Sequence, residues 1–216
     1  MPAHFRQEDR AAAYELIRRV ALAELVTWDG AAISASTIPM LLDERPGEPG
    51  SLLGHVARGN PQWSSFDQRA EALAIFRGPQ AYVSPSWYPT KAEHGKVVPT
   101  WDYATVHLHG TLVVHDDDEW KRALVTRLTD VHESERARPW SVADAPAEYV
   151  AGQLRAIVGI ELQITRLEAK WKLSQNQPAR NRAGVIAGLE QDAGASALEI
   201  AAMIRALPEG PAAGER

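Results

Sequence analysis

The clearest strand signal in the chain is the stretch YATVHLHGTLVV, which runs from Tyr103 to Val114. Its side chains alternate between apolar and polar with a period of two, as is typical of a strand with one buried face. The aliphatic face comprises Val106, Leu108, Leu112 and Val114. The polar face comprises Thr105, His107, His109 and Thr111. His107 and His109 share a face and could bind a metal, but no third ligand is evident. We therefore interpret them as part of a polar barrel face.

The segments on both sides of this strand predict further hairpin-linked strands with a few helices between them. Strands are expected over residues 22–28, 31–42, 70–76, 81–84 and 157–167. Helices are expected over residues 7–20, 116–132 and 146–154, with a short one that begins at Ser51 and ends near Gly59, and one or two more in 181–206. Asp29-Gly30 is a hairpin signal, and the proline-containing stretch 85–99 predicts a long ordered loop. Because helical crossovers do not recur between the strands, we predict an antiparallel barrel in an α+β chain.

Length and composition predict a globular protein with one domain. We expect a single domain with C-terminal helices over residues 1–207 and a flexible tail over 208–216. No apolar run approaches the roughly 18 residues that cross a bilayer, and no apolar leader is evident, so we expect a cytoplasmic protein without membrane contact. The chain contains no cysteine, which excludes disulfides, cysteine nucleophiles, iron–sulfur clusters and thiolate-ligated haem. The net charge of −5 argues against nucleic acid as a partner.

Four segments combine aromatic rings with hydrogen-bond donors. They read GHVARGNPQW from Gly54, SPSWY from Ser84, VPTWDY from Val98 and KWKLSQNQ from Lys170. Flat rings beside convergent donors suit a planar aromatic ligand that carries anionic groups. The alternative is that these rings fill core or dimer contacts.

Particular residues in these segments could carry chemistry. In the predicted helix, His55 and Arg58 share a face; the imidazole could ligate haem iron, and the guanidinium could pair with a propionate or phosphate. Lys170, Lys172 and Ser174 could form an anion-holding turn, or simply a solvated basic turn. Asp102 and Tyr103 could transfer protons if they are buried in a site.

The four segments, in this order, resemble the PaiB-like family of FMN-binding negative transcriptional regulators. The family pattern is similar to G-H-x-A-R-x-N-P-Q-W, I-F-x-G-P-x-A-Y-x-S-P-S-W-Y, V-P-T-W-N-Y and K-x-K-L-S-Q-N. The resemblance implies a flavin-binding split β-barrel of six antiparallel strands with peripheral helices. It also implies a homodimer with its cofactor at the subunit interface. Two positions depart from the pattern: Thr37 stands where the family has histidine, and Asp102 where it has asparagine.

One branch of the family, piperazate synthase, is a haem enzyme. Resemblance to this branch implies the function that we expect for the chain. It closes N5-hydroxy-L-ornithine into L-piperazic acid by forming an N–N bond, with haem b in place of FMN. The resemblance then makes His55 the axial ligand and Asp102 or Tyr103 the proton-transfer residue. The expected cofactor-binding residues are His55, Arg58, Asn60, Ser84, Ser86, Trp87, Tyr88, Thr100, Trp101, Lys172, Ser174 and Gln175.

Two alternatives remain open. The first is an FMN-binding transcriptional regulator or flavin reductase, in which Arg58, Lys172 and Ser174 hold the FMN phosphate and Trp87 or Trp101 lies against the ring. A regulator needs a basic surface, and the final helices are basic only at Arg180 and Arg182. The second is a split-barrel dimer that has lost its cofactor and serves only in interactions.

Overall fold

A computed structural model describes residues 2–45 and 47–208 of the chain. The strands in these residues are β1 (Arg6–Gln7), β2 (Leu22–Trp28), β3 (Ile33–Asp43), β4 (Ser51–Ala57), β5 (Ala72–Val83), β6 (Thr100–His115) and β7 (Ile157–Lys172). The helices are α1 (Arg10–Val20), α2 (Gln62–Ser65), α3 (Lys91–His94), α4 (Asp118–Glu133), α5 (Ala147–Arg155), α6 (Ala179–Asp192) and α7 (Ala195–Arg205). Single 3₁₀ turns occur at Ala3–Phe5, Pro85–Trp87 and Val142–Asp144.

The strands form one sheet that closes on itself. Its order is β1-β7-β4-β3-β2-β5-β6, and β6 also pairs with β7, so the six long strands make a ring. The pairings of β2 with β3 and β5, of β4 with β3 and β7, and of β1 with β7 are antiparallel. The prediction of an antiparallel six-stranded barrel in an α+β chain is confirmed. A closed ring leaves no unpaired edge among these strands.

The β2–β3 hairpin follows the turn signal in the sequence. Leu22 pairs with Pro39 and Trp28 with Ile33. Between them, the Asp29 carboxylate accepts hydrogen bonds from the N–H groups of two following residues, Ala31 and Ala32, at 2.8 and 2.7 Å. Gly30 has φ +100°, a conformation that glycine adopts without steric cost.

The segment 51–57 was predicted as a helix and is strand β4. Leu52, Leu53 and Val56 are all buried, and the strand is paired on both sides, with β3 and with β7. A strand that is buried on both faces loses the polar–apolar alternation that would identify it in the sequence. A short apolar run of this kind fits a helix and a strand equally well.

Other element boundaries also differ from the prediction. The strands predicted over 70–76 and 81–84 are one strand, β5, which continues through Gly78 and Pro79. Strand β7 extends to Lys172, so Lys170 and Lys172 lie on a strand and not in the predicted basic turn. Within the predicted loop 85–99, the structure has a 3₁₀ turn and the short helix α3.

The described residues form two compact units. The first comprises residues 2–13, 77–106 and 168–208, and its core includes Val83, Leu173, Val185, Leu189, Ile200 and Ile204. The second comprises residues 14–76 and 107–167; there Leu124 and Leu128 of α4 pack against Leu53 of β4. The predicted tail lies outside the described residues except for Pro208. No helix in the described part of the chain is long and apolar enough to span a membrane.

Candidate functional site

In the first unit, the start of β6 and the end of β7 bring together what we call the lysine–aspartate cluster: Thr100, Asp102, Lys172 and Ser174. The Asp102 carboxylate is fully buried. Ser174 Oγ donates a hydrogen bond of 2.7 Å to its Oδ2, and Lys172 Nζ lies 3.5 Å from its Oδ1. Lys172 Nζ also donates to Thr100 Oγ1 at 2.6 Å and to the carbonyl of Trp101. The β6–β7 pairing thus joins two motifs that are about 70 residues apart.

The turn after β7 presents the Ser174 hydroxyl to Asp102. Ser174 has φ +57°, a left-handed conformation that reverses the chain directly after the strand. Gln175 holds the turn closed, because its Oε1 accepts from the N–H of Leu173 at 2.7 Å and its Nε2 donates to the carbonyl of Trp171. The amide of Gln175 is therefore engaged in shaping this turn.

Burial controls the electrostatics of the cluster. It raises the pKa of Asp102, while the hydrogen bond from Ser174 and the Lys172 charge act in the opposite direction. The pKa of Tyr88 is also raised, by its own burial and by the negative charge of Asp102, and this phenol is hydrogen-bonded to Ser174. The buried Asp102 carboxyl, the Ser174 hydroxyl and the Tyr88 phenol therefore form a hydrogen-bonded series, and each group can hold or pass on a proton.

A second ammonium group lies beside the cluster. Lys170 is two residues before Lys172 on β7, so both side chains lie on the same face of the strand. Lys170 Nζ donates to the Tyr103 hydroxyl and lies 4.9 Å from the centre of that ring. The ring of Phe5 is 6.0 Å from one ammonium and 5.9 Å from the other. Two ammonium groups and one carboxyl group therefore lie close together at this end of β7.

An exposed pair of aromatic rings adjoins the cluster in the chain. Trp101 is 54% exposed and Tyr82 is 46% exposed, and their rings meet edge to face with centroids 5.9 Å apart. Trp87 is packed differently, since a Cβ added at Gly188 of α6 would come within 2.2 Å of its ring. Of the two tryptophans predicted to lie against a cofactor, Trp101 is the one whose ring is exposed.

The two serines predicted to bind a cofactor have local partners. Ser84 Oγ accepts the N–H of Ser86 at 3.2 Å and so caps the 3₁₀ turn. Ser86 Oγ accepts from Lys91 Nζ at 3.3 Å. Both hydroxyls help to shape the segment that carries Trp87 and Tyr88, and their role in cofactor binding stays a prediction.

In the second unit, Arg58 and Asn60 form hydrogen bonds that anchor the loop after β4. The Arg58 guanidinium pairs with the Asp116 carboxylate, at 3.1 Å from Nη1, and its Nε donates to the carbonyl of Arg155 at 2.7 Å. Asn60 Nδ2 donates to Ser36 Oγ at 2.8 Å. The prediction that Arg58 shares a helix face with His55 was wrong, because β4 ends at Ala57.

His55 lies on β4, opposite Gly159 of β7, and is half-buried. Burial lowers the pKa of this imidazole, so its neutral form prevails at pH 7. Its ring nitrogens have no hydrogen-bond partner among residues 2–45 and 47–208. The side chain lines a pocket of about 320 Å³ within the second unit. Among those same residues, no group of three or more His, Asp or Glu side chains could hold a metal ion.

The sequence analysis did not single out Tyr82 or the ion partners of Arg58. Tyr82 lies between the buried Ala81 and Val83 on β5. An aromatic residue at an exposed position of a strand could therefore have identified Tyr82 as a candidate site residue. Asp116 joins Arg58 to Lys121, which is almost fully buried and lies 3.2 Å from that carboxylate. No short-range pattern connects residues 58 and 116, and only the fold brings them together.

Comparison with known proteins assigns this fold and these motifs to a family. Residues 1–166 match a family model described as "Putative FMN-binding domain". The chain is also 27% identical to the Protease synthase and sporulation protein PAI 2 of Bacillus subtilis, over 94% of this chain and 95% of that protein. The chain belongs to the PaiB-like FMN-binding family.

Other relatives of this PaiB-like chain agree with the assignment. An uncharacterized protein of Emericella nidulans, AN0679, is 35% identical over 73% of this chain and 75% of its own length. Among solved structures, the FAD and Heme binding protein from Mycobacterium smegmatis aligns with a TM-score of 0.54 at 19% identity, covering 77% of this chain and 73% of that one. At this identity the structural match supports the shared split-barrel fold alone.

Proposed function

We propose that this PaiB-like chain binds FMN on the first unit, at the lysine–aspartate cluster and the neighbouring Trp101, and acts as a flavin reductase. The observation that carries the proposal is the pair of ammonium groups at alternate positions of β7, beside an exposed indole on β6. Ammonium groups form charge-assisted hydrogen bonds with phosphate, and an exposed ring offers a stacking surface. The donors present therefore fit a flavin mononucleotide.

The chain's own residues would bind and orient the cofactor. Lys170 and Lys172 would hold the phosphate, and Trp101 would cover one face of the ring system. FMN, when bound, supplies two-electron redox chemistry. The buried Asp102, with Ser174 attached to it, would hold a proton near the site, and the Tyr103 hydroxyl would be oriented by Lys170.

The two arginines that open α6 favour a reductase over a DNA-binding regulator. The Arg180 guanidinium pairs with both oxygens of Glu93, at 2.6 and 2.8 Å. Arg182 is buried and donates to the carbonyl of Pro208 at 3.1 Å. Cations engaged in this way release few counterions from a phosphate backbone, and the chain as a whole is acidic.

Fluorescence titration of FMN tests the proposal. We expect saturable quenching with the wild-type protein, and weaker binding of riboflavin because it has no phosphate. Trp101→Ala should weaken FMN binding by about tenfold, the loss of one stacked ring. Trp28→Ala is the matched control, since Trp28 is similarly exposed, at 44%, but lies on the second unit. Absence of FMN binding, or an equal effect of the two substitutions, would refute the site.

A second candidate function is the haem b-dependent cyclase, in which the N–N bond of piperazic acid forms as the N–O bond of the substrate breaks and water leaves. One observation favours it: the half-buried His55 imidazole has no protein partner within the described residues. It ranks second because, among the residues that the structure describes, no Lys or Arg lines the pocket beside His55 and could pair with haem propionates. A Soret band that appears on titration with haem and is lost in His55→Ala would favour the cyclase over the flavin reductase.

We also propose that the protein works as a homodimer, in the cytoplasm, on a small-molecule substrate; for the cyclase this would be a hydroxylated amino acid. Exposed aromatic rings such as Tyr82 and Trp101 are of the type enriched at protein interfaces. Sedimentation velocity gives the oligomeric state, and a monomer at all concentrations would refute the dimer.

A further inference from the structure

A pocket in the second unit is separate from the residues proposed to bind FMN. It lies where α4 packs on strand β4, and its volume is about 320 Å³. That volume is at the lower end of the range for small-molecule sites. The lining consists of Pro39, His55, Val125, Leu128, Thr129, His132, Glu133 and Trp140.

On the strand side, the pocket is lined by Pro39 and by the imidazole of His55. Met40 and Gly54 are paired, and Pro39 precedes the first while His55 follows the second, so Pro39 and His55 lie at neighbouring positions of the two strands. A Cβ added at Gly54 would lie 2.9 Å from the carbonyl of Pro39. Val125 and Leu128 supply the wall on the helix side. A neutral imidazole has one donor and one acceptor, and neither nitrogen of His55 is bonded within the described chain.

The rim of the pocket combines an aromatic ring with a negative charge. Trp140 is 48% exposed, and its backbone N–H donates to the Glu133 carboxylate at 3.1 Å. Thr129 and His132 complete the rim. No Lys or Arg lines the pocket among the described residues, so a phosphate or a carboxylate would meet the Glu133 charge without a compensating cation.

We propose that this pocket binds a compact, uncharged aromatic molecule that carries one hydroxyl or N–H group. The ring lies between Leu128, Val125 and Trp140, and the polar group bonds to His55. This proposal goes beyond the flavin site and does not depend on it, because FMN carries a phosphate that this lining repels. The same argument disfavours haem propionates here.

Phenol and benzoate are the probes that test the proposal, because they share a ring and differ in charge. Binding is followed on the wild-type protein by the NMR signals of the His55 imidazole and of the methyl groups of Val125 and Leu128. We expect saturable shifts of these signals with phenol, and affinity for benzoate at least about tenfold lower. Equal affinities, or phenol shifts confined to other parts of the protein, would overturn the proposal.

A pair of variants on α4 locates the site. Thr129→Phe fills the pocket and should lower phenol affinity by about tenfold or more. Thr126→Phe is the matched control, since it makes the same change on the same helix at a residue that does not line the pocket. FMN binding, measured on the same samples, should be equal in both, which separates this test from that of the flavin site. Unchanged phenol affinity in a folded Thr129→Phe would overturn the proposal, and the wild-type phenol–benzoate comparison decides it if that variant does not fold.

Discussion

Replacing Lys172 by Met should destabilise the protein because it isolates a buried carboxylate. In the native structure Asp102 is fully buried, with Lys172 Nζ at 3.5 Å, and it accepts hydrogen bonds from the Ser174 hydroxyl, at 2.7 Å, and from the Ser174 backbone N–H. Methionine keeps most of the length and apolar character of the lysine stem but has no charge. After the substitution, Asp102 retains only neutral hydrogen bonds, from the hydroxyl and the backbone N–H of Ser174.

The magnitude follows from the geometry of the pair. Two unit charges 3.5 Å apart attract by about 5 kcal/mol at an effective dielectric constant near 20. Removing one partner of a buried pair typically costs about 3 to 5 kcal/mol. The Lys172 side chain is 22% exposed, so we expect the cost of removing it to lie at or below the lower end of that range. We expect a loss of about 2 to 3 kcal/mol at pH 7, or roughly 5 to 10 °C in Tm.

The cost of the substitution should depend on pH. Burial raises the pKa of Asp102 in the native state above the unfolded value of 3.8. A carboxyl whose folded pKa is raised opposes folding increasingly as pH rises from the unfolded pKa through the folded pKa. Lys172 partly counters this shift, so removing it raises the folded pKa further and widens that window. The penalty of Lys172→Met is therefore larger at pH 7 than at pH 4, because the Asp102 carboxyl of the native protein takes up a proton as pH falls through its raised folded pKa.

Urea unfolding at pH 7 and pH 4 measures both effects, with Lys170→Met as the matched control. Lys170 is on the same strand two residues away, but in the described part of the chain its ammonium contacts the Tyr103 hydroxyl and no carboxylate. We expect a loss of about 1 kcal/mol there, independent of pH between these values. Combining Lys172→Met with Asp102→Asn should recover most of the loss. The reasoning fails if the two lysine variants lose equal stability at pH 7, or if acid leaves the Lys172→Met penalty unchanged.

Two further predictions concern stability. Gly184→Ala should lower the free energy of unfolding by about 2 kcal/mol or more, because its Cβ would lie 2.0 Å from the backbone carbonyl of Trp87. Gly152→Ala, in a helix where the new Cβ would meet only the Arg155 guanidinium at 3.9 Å, should instead add up to about 1 kcal/mol; denaturant melts that give both the same sign would contradict this packing. Arg58 and Lys121 lower the pKa of Asp116 to about 2, so its stabilising pairing is present above the unfolded pKa of 3.8 and disappears toward pH 2. Arg58→Gln should therefore flatten the loss of stability between pH 4 and pH 2, and an acid melt parallel to wild type would count against the pairing.

Local sequence patterns predicted the elements whose two faces differ. Strand β2 has the predicted limits, 22–28, because it alternates buried and open residues, and the Asp29-Gly30 turn fixes where its partner begins. Strand β6 also alternates, from Asp102 to Leu112. The prediction failed at β4, where both faces are covered and no alternation remains.

The motifs predicted the family and most of the candidate site, but not the role of each residue. Trp101 and Trp87 occur in similar aromatic segments, yet one ring is exposed and the other packs against α6. Arg58 was predicted to hold an anion from a ligand, and its guanidinium is engaged by Asp116. Such pairings join residues tens of positions apart, so no local pattern reports them.

The sequence by itself determined the barrel, through the alternation of its strands, and the family, through four long motifs. The tertiary structure alone decided which side chains are buried, which are bonded within the protein and which face open space. Lys172 approaches the buried Asp102, and His55 faces a pocket without a partner, because the closed ring of strands joins distant segments. The physical reason is that burial and pairing depend on neighbours across the sheet, whereas sequence periodicity records only neighbours along the chain.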